Sequence, residues 1–177
     1  MKPTPSDPVA WNAYLAEGNA KQARKRVAAD VLLHDAAGDF LLVKPTYKPG
    51  WDLPGGMVEA NEAPDLAATR ELREELCLTT TIQGLLVVDW VAPHGPWDDQ
   101  LAFIFDGGKI DSDAAAGIRL DDGELSEFAY FPVGEAERLL RPRLAHRFRA
   151  AVAALADGVP RYLRAGASGT AAAKAGT

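Results

Sequence analysis

The sequence predicts a single α+β domain, and three observations carry that prediction. Compact apolar runs bounded by turn residues alternate along the chain with stretches of helical spacing. The 177 residues suffice for one sizeable core and not comfortably for two. Hydrophobic residues make up 47% and charged residues 25% of the chain, the balance of an ordinary soluble globule rather than of a disordered polymer. No internal repeat and no second composition regime divides it.

The elements follow in order. Residues 1–25 read as an N-terminal extension: a proline-rich lead-in, then a short helix over 9–20 with Val9, Trp11, Tyr14 and Leu15 at helical spacing. Residues 26–34 and 40–44 are apolar runs separated by Asp35-Ala-Ala-Gly-Asp39, which predicts a hairpin. Residues 45–58 are rich in Pro and Gly and read as loop or short irregular strand. A helix is expected over 63–76, with Pro64 in its first turn and Asp65 favourable to its dipole. Residues 81–92 and 100–106 read as strands around the loop Pro93–Asp99, 111–123 as a loop of small and acidic residues, and 128–131 as a short strand. Residues 134–140 and 143–156 have helical spacing. The main domain is expected to run over 26–158. Residues 159–177 read as a tail, disordered from Gly166, where no large apolar residue remains.

Charge and cysteine usage exclude several functions. Nineteen Lys and Arg against 25 Asp and Glu give a net charge of −6, which argues against binding nucleic acid by bulk charge. The basic residues of the last helices (Arg138, Arg141, Arg143, Arg147, Arg149) read as a surface face, and Arg24, Lys25 and Arg26 as a solvated strand entrance. One cysteine, Cys77, permits neither an intrachain disulfide nor a Cys-rich zinc site, and fits a reducing cytoplasm. No run approaches eighteen consecutive apolar residues, so no membrane partner is expected, and the first residues lack the apolar run of a signal peptide.

Five of the ten glutamates, Glu59, Glu62, Glu71, Glu74 and Glu75, fall within seventeen residues. At about 100° per residue, Glu71, Glu74 and Glu75 share an arc of roughly 100° on the helix 63–76, with Leu66, Leu72 and Leu76 on another side. Like charges at these spacings destabilise an isolated helix. A cation between them reverses that penalty, and hard divalent cations prefer oxygen ligands. The bland alternative is a solvated acidic face paired with Arg70 and Arg73. The preceding Gly55-Gly56 favours a site, because it can bring bare backbone close to a ligand.

The segment Gly56-x5-Glu62-x7-Arg70-Glu71-Leu72-x-Glu74-Glu75-x-Cys77-Leu78 resembles the Nudix box, G-x5-E-x7-R-E-U-x-E-E-x-G-U with U apolar. Eight of nine specified positions match; Cys77 stands where the family has Gly, a C-terminal cap with positive φ. Trp51-x-Leu53-Pro54-Gly55-Gly56 also looks like the family's approach to the box. The resemblance implies a Nudix fold, an α/β/α sandwich around a mixed sheet, over about residues 26–156. It implies hydrolysis, dependent on Mg²⁺ or Mn²⁺, of a pyrophosphate bond in a nucleoside diphosphate linked to another group. The small-molecule partner would be a nucleoside triphosphate, ADP-ribose or a nucleotide sugar. By the same alignment Glu71, Glu74 and Glu75 are metal ligands, with the Gly55 carbonyl as a further one. Glu71 and Glu74 are the candidates for chemistry, and Arg70 orients a carboxylate by ion pairing. Glu59, Glu62 and Glu124 stand second, Glu62 as a brace of the loop and Glu124 as a late acidic residue of the kind some members add.

Tyr47, His94 and Trp97 lie in Pro- and Gly-rich loops and are candidates to stack on a base, while Trp51 reads as a structural anchor. Pro93, sixteen residues after Cys77, has a spacing similar to that of ADP-ribose pyrophosphatases. The alternative function is a non-hydrolytic nucleotide-sensing module of the same fold; the intact acidic face weighs against it. A homodimer is left open.

Overall fold

The computed structural model describes residues 2–120 and 123–164. The expected disorder from Gly166 lies outside them. The chain runs α1 (Pro8–Ala20), β1 (Arg26–His34), β2 (Phe40–Pro45), β3 (Gly55–Met57), α2 (Pro64–Leu76), β4 (Gly84–Val91) and β5 (Gln100–Lys109). It continues through α3 (Ser112–Gly117), β6 (Leu125–Phe131), α4 (Val133–Leu139), α5 (Pro142–Asp157) and β7 (Arg161–Leu163). One mixed sheet has the order β6-β2-β1-β5-β4-β7, with β3 on the edge of β1. The central pair β1–β5 is parallel and β4–β5 antiparallel. Among the described residues no helix is long and apolar enough to cross a membrane.

Strand alternation builds the layers. Ala29, Val31 and Leu33 of β1 and Leu41 and Val43 of β2 point to one face, where Ala67, Ala68, Leu72 and Leu76 of α2 cover them. Leu32, Phe40 and Leu42 point to the other, against Leu144, Ala145, Phe148, Ala151 and Ala154 of α5. Phe148, fully buried, meets Phe40 edge to face at 5.3 Å. The result is the α/β/α sandwich the resemblance implies.

Several details differ from the sequence reading. β1 and β2 are not a continuous hairpin: they pair only at His34–Phe40. Further along, β3 and Pro54 take the edge of β1, with the Val31 amide donating to the Pro54 carbonyl at 2.9 Å. The two strands therefore splay beside Gly55. Residues 112–117 form a helix rather than loop, because Asp111 caps it through Oδ1 and Ala114 and Ala115 half-bury on the core. Residues 161–163 form a strand rather than tail, parallel to β4. Leu66 is 62% exposed and not part of the buried side of α2.

Candidate active site

The buried residues of α2 are Ala67, Ala68, Leu72, Glu75 and Leu76. With Glu71 at zero they span about −40° to +140°, and Glu75, at about +40°, lies near the middle. Leu66, at about 220°, falls off that arc. The acidic and buried sides of the helix are thus not separate but overlap on Glu75. The glycine loop comes down onto the helix at Glu71 and Glu75. The Gly55 amide donates to Glu75 Oε2 at 3.0 Å. Gly55 has φ +136°, and a Cβ there would lie 2.3 Å from the Ala29 carbonyl oxygen, so only glycine fits. At Gly56 a Cβ would lie 2.4 Å from Glu71 Oε1. Its bareness makes the cradle in which that carboxylate rests.

The other acids are held by one guanidinium. Arg70 donates to both oxygens of Glu62, at 2.9 and 3.1 Å, to Glu71 Oε1 at 2.9 Å, to Glu74 Oε2 at 3.0 Å and to the Met57 carbonyl at 3.1 Å. Glu62 in turn accepts from the Glu59 amide at 2.9 Å. Arg70 thus links Glu62, Glu71 and Glu74, and Glu62 ties the helix to the loop through the Glu59 main chain. Hydrogen bonding from Arg70, then from the Glu59 amide, holds the Glu62 carboxyl below its usual range. Burial pushes Glu71 above its usual range against the opposing pull of Arg70, and the charges of Glu74 and Glu124 push the same way. Glu124, just before β6, is thereby within electrostatic reach of Glu71. Glu74 is the most open of the three helix acids, its side chain 49% exposed.

The donor chemistry fits a divalent cation. Glu71 and Glu75 meet the glycine loop, Arg70 ties Glu74 to Glu71, and Glu71 is desolvated with Glu74 and Glu124 as acidic neighbours beside Arg70. Among the described residues no three acidic, His or Cys side chains are already gathered as a metal cluster. Arg70 takes up Glu71 and Glu74, and Glu75 engages the Gly55 amide.

Where β1 and β2 splay, a cavity of about 220 Å³ opens beside Glu75 and Gly55. Asp30, Tyr47, Lys48 and Asp52 line it. Tyr47 is 69% exposed and carries Lys48 Nζ over its ring at 5.2 Å. Trp97 carries the Arg26 guanidinium at 4.4 Å and lines an adjoining cavity that shares Asp30 and Tyr47. His94 sits in the same turn as Trp97, the two exchanging backbone hydrogen bonds of 3.0 Å, and lines a third, contiguous cavity. Trp51 packs edge to face on Phe131 at 4.9 Å, an anchor as expected.

The sequence reading missed a buried ionic cluster. Asp30 has the strand parity of Leu32 and faces α5, where Arg147 reaches Asp89 Oδ2 at 3.0 Å and Asp30 Oδ2 at 3.8 Å. Asp89 is fully buried. Burial pushes the Asp30 carboxyl up to about 7; Arg147 opposes this, and Asp52 adds to it. The available signal was a single acid inside each of two otherwise apolar strands.

Two expectations follow. A raised native pKa means that Asp30 favours folding fully below the ordinary carboxylate range and loses that contribution as pH rises through about 7. In chelator, Asp30→Asn should therefore melt above the parent at both pH 5 and pH 8, by clearly more at pH 8. Equal melting temperatures at both would show that Arg147 fully compensates the charge. The second concerns Cys77, which ends α2 in the left-handed region at φ 52°, ψ 26°. Cys77→Gly removes a strain of about 1 kcal/mol, worth a rise of roughly 2–4 °C in melting temperature for a chain of this size. A fall on calorimetry would place the strain elsewhere.

A family model described as NUDIX domain matches residues 24–155. No curated protein matches the chain. Solved structures do. A MutT protein from Methanosarcina mazei Go1 is 21% identical with a TM-score of 0.62, over 75% of this chain and 97% of that one. A UDP-X diphosphatase is 16% identical with a TM-score of 0.63, over 89% and 87%. An ADP-ribose pyrophosphatase from Streptococcus suis is 16% identical with a TM-score of 0.58, over 80% and 99%. At these identities the likeness is one of fold.

Proposed function

This chain belongs to the Nudix family of hydrolases that act on pyrophosphate bonds, and we propose that it hydrolyses a nucleoside diphosphate linked to another group, with Mg²⁺ or Mn²⁺ as cofactor. The observation that carries this reading is that Glu71 and Glu75 seat against the Gly55-Gly56 loop, the first of them desolvated in a cradle only glycine leaves open, with Glu74 tied to Glu71 through Arg70.

Glu71, Glu74, Glu75 and the Gly55 carbonyl would hold the cation, which when bound supplies positive charge against a diphosphate and acidifies water. The chain's own residues do the rest. Arg70 holds the Glu71 and Glu74 carboxylates beside one another before substrate arrives, donating one hydrogen bond to each. Glu74, open to solvent, takes the proton of the attacking water at a carboxylate oxygen. The water oxygen bonds to phosphorus as the anhydride P–O bond breaks, and the bridging oxygen leaves on the other phosphate. Tyr47 and Trp97 line the cavities and are the groups we assign to the nucleoside, with His94 at the far end. We place this work in the cytoplasm, where such substrates occur and a lone thiol persists reduced.

The test is a phosphate-release screen of nucleoside triphosphates, ADP-ribose and nucleotide sugars with Mg²⁺ or Mn²⁺. Turnover of at least one class that stops with chelator and returns with metal is expected. No turnover of any class, or turnover indifferent to chelator, would overturn the reading.

A further inference from the structure

We propose that the cleft beyond Asp30 binds a second phosphate of the substrate on Arg141, Arg143 and Arg147, so that the preferred substrate carries a phosphate group besides its diphosphate. This rests on the hydrolytic reading above and narrows its substrate class. The first observation is continuity. The cavity beside Glu75 shares Asp30, Lys48 and Asp52 with a second cavity of about 530 Å³. The second shares Gln100, Arg141 and Arg147 with a third of about 560 Å³ that extends to Arg143 and His94. These shared residues join the cavities into one cleft that leads from Glu75 to the arginines at the start of α5.

Charge is the second observation. The chain carries a net −6, yet five cationic side chains and only two carboxylates line the second and third cavities. Their pairing is uneven. Lys48 is ion-paired to Asp52, and Arg147, its side chain 14% exposed, is fixed by Asp89 and Asp30. Arg141 reaches only the already engaged Asp52, at 3.5 Å, and Arg143 has no ion-pair partner among the described residues. These two arginines flank Pro142 where α5 begins, with no acid in the first turn, and Arg143 stands four residues from Arg147. Cations there work against the helix dipole and against each other. An anion lying between them reverses both effects. Guanidinium forks match phosphate oxygens in paired hydrogen bonds, and Arg147, ion-paired to Asp89 and Asp30, forms the inner wall of the cleft.

The experiment compares ADP-ribose with 2′-phospho-ADP-ribose and ADP-ribose 1″-phosphate, which add a phosphate on either side of the diphosphate. Dissociation constants are read by calorimetry in chelator, and KM values with Mg²⁺. At least one phosphorylated probe should bind roughly ten- to a hundredfold more tightly than ADP-ribose, the range of a charge-assisted pair. The R141Q/R143Q double variant should collapse that ratio, and Arg138→Gln, on the exposed side of α4, should leave it intact. Equal dissociation constants for all three probes in the parent protein, or a preference that the double variant keeps, would overturn the proposal. A retained binding ratio with no hydrolysis of any probe supports the subsite and counts against the hydrolytic reading instead.

Discussion

Glu74→Gln is expected to lower turnover by about 10²- to 10⁴-fold, the range of a positioned acid–base group, with thermal stability nearly unchanged. Glu74 is half exposed, and its only hydrogen-bond donor among the described residues, Arg70, also holds Glu62 and Glu71. The amide keeps a hydrogen-bond acceptor and the helix keeps its shape. Repulsion from Glu71 falls, so stability in chelator should hold or rise slightly. Glu75→Gln should reduce turnover similarly, for a different reason. Its amide oxygen can still accept from the Gly55 N–H, so the loop stays seated while the charge facing the site is gone. Glu135→Gln, in the first turn of α4, is the control. Near-normal kcat in both Glu74→Gln and Glu75→Gln on a confirmed substrate would reduce the acidic face to surface decoration.

Gly56→Ala should cost about 10²-fold in turnover, the penalty of misplacing a site group by around an ångström, and cost little stability. Gly56 does not have a positive φ, so alanine is acceptable to the backbone. The added methyl would meet the Glu71 carboxylate at 2.4 to 2.8 Å, and the flexible end of that side chain must move aside. Activity and stability are thereby separated at one residue. Gly55→Ala makes the contrast: its Cβ would strike the backbone of β1, and that variant should lose both. A fully active Gly56→Ala protein would show that the position of Glu71 is immaterial.

What the sequence made legible was what lies within one helix or one loop. The period of 63–76 placed Glu71, Glu74 and Glu75 together, and the spacing from Gly56 to Leu78 carried the family. The left-handed cap at Cys77, foreseen from the glycine usual at that position, is present. The burial of Glu75 was not legible. A carboxylate between leucine and alanine positions reads as surface until the Gly55 amide is known to stand over it. The cluster of Asp30, Asp89 and Arg147 was hidden more deeply. Its members sit on β1, β4 and α5, and only the pairing of strands through β5 and the packing of α5 bring them together. The arginines of α5 read as a solvated face for the same reason, since the cavities they line are bounded by loops far away in sequence. The strand 161–163 escaped because three residues beside a Gly-rich stretch carry no period of their own.

The central claim, that the acid face of α2 holds the cation that hydrolysis needs, is tested most directly by titrating Mn²⁺ into the protein. Bound and free ion are separated by electron paramagnetic resonance, in the parent and in the Glu71→Gln/Glu74→Gln/Glu75→Gln variant. Saturable Mn²⁺ binding in the parent that is abolished in the folded triple variant is the expected result. Equal Mn²⁺ affinity in the two proteins, with the variant folded by circular dichroism, would contradict it.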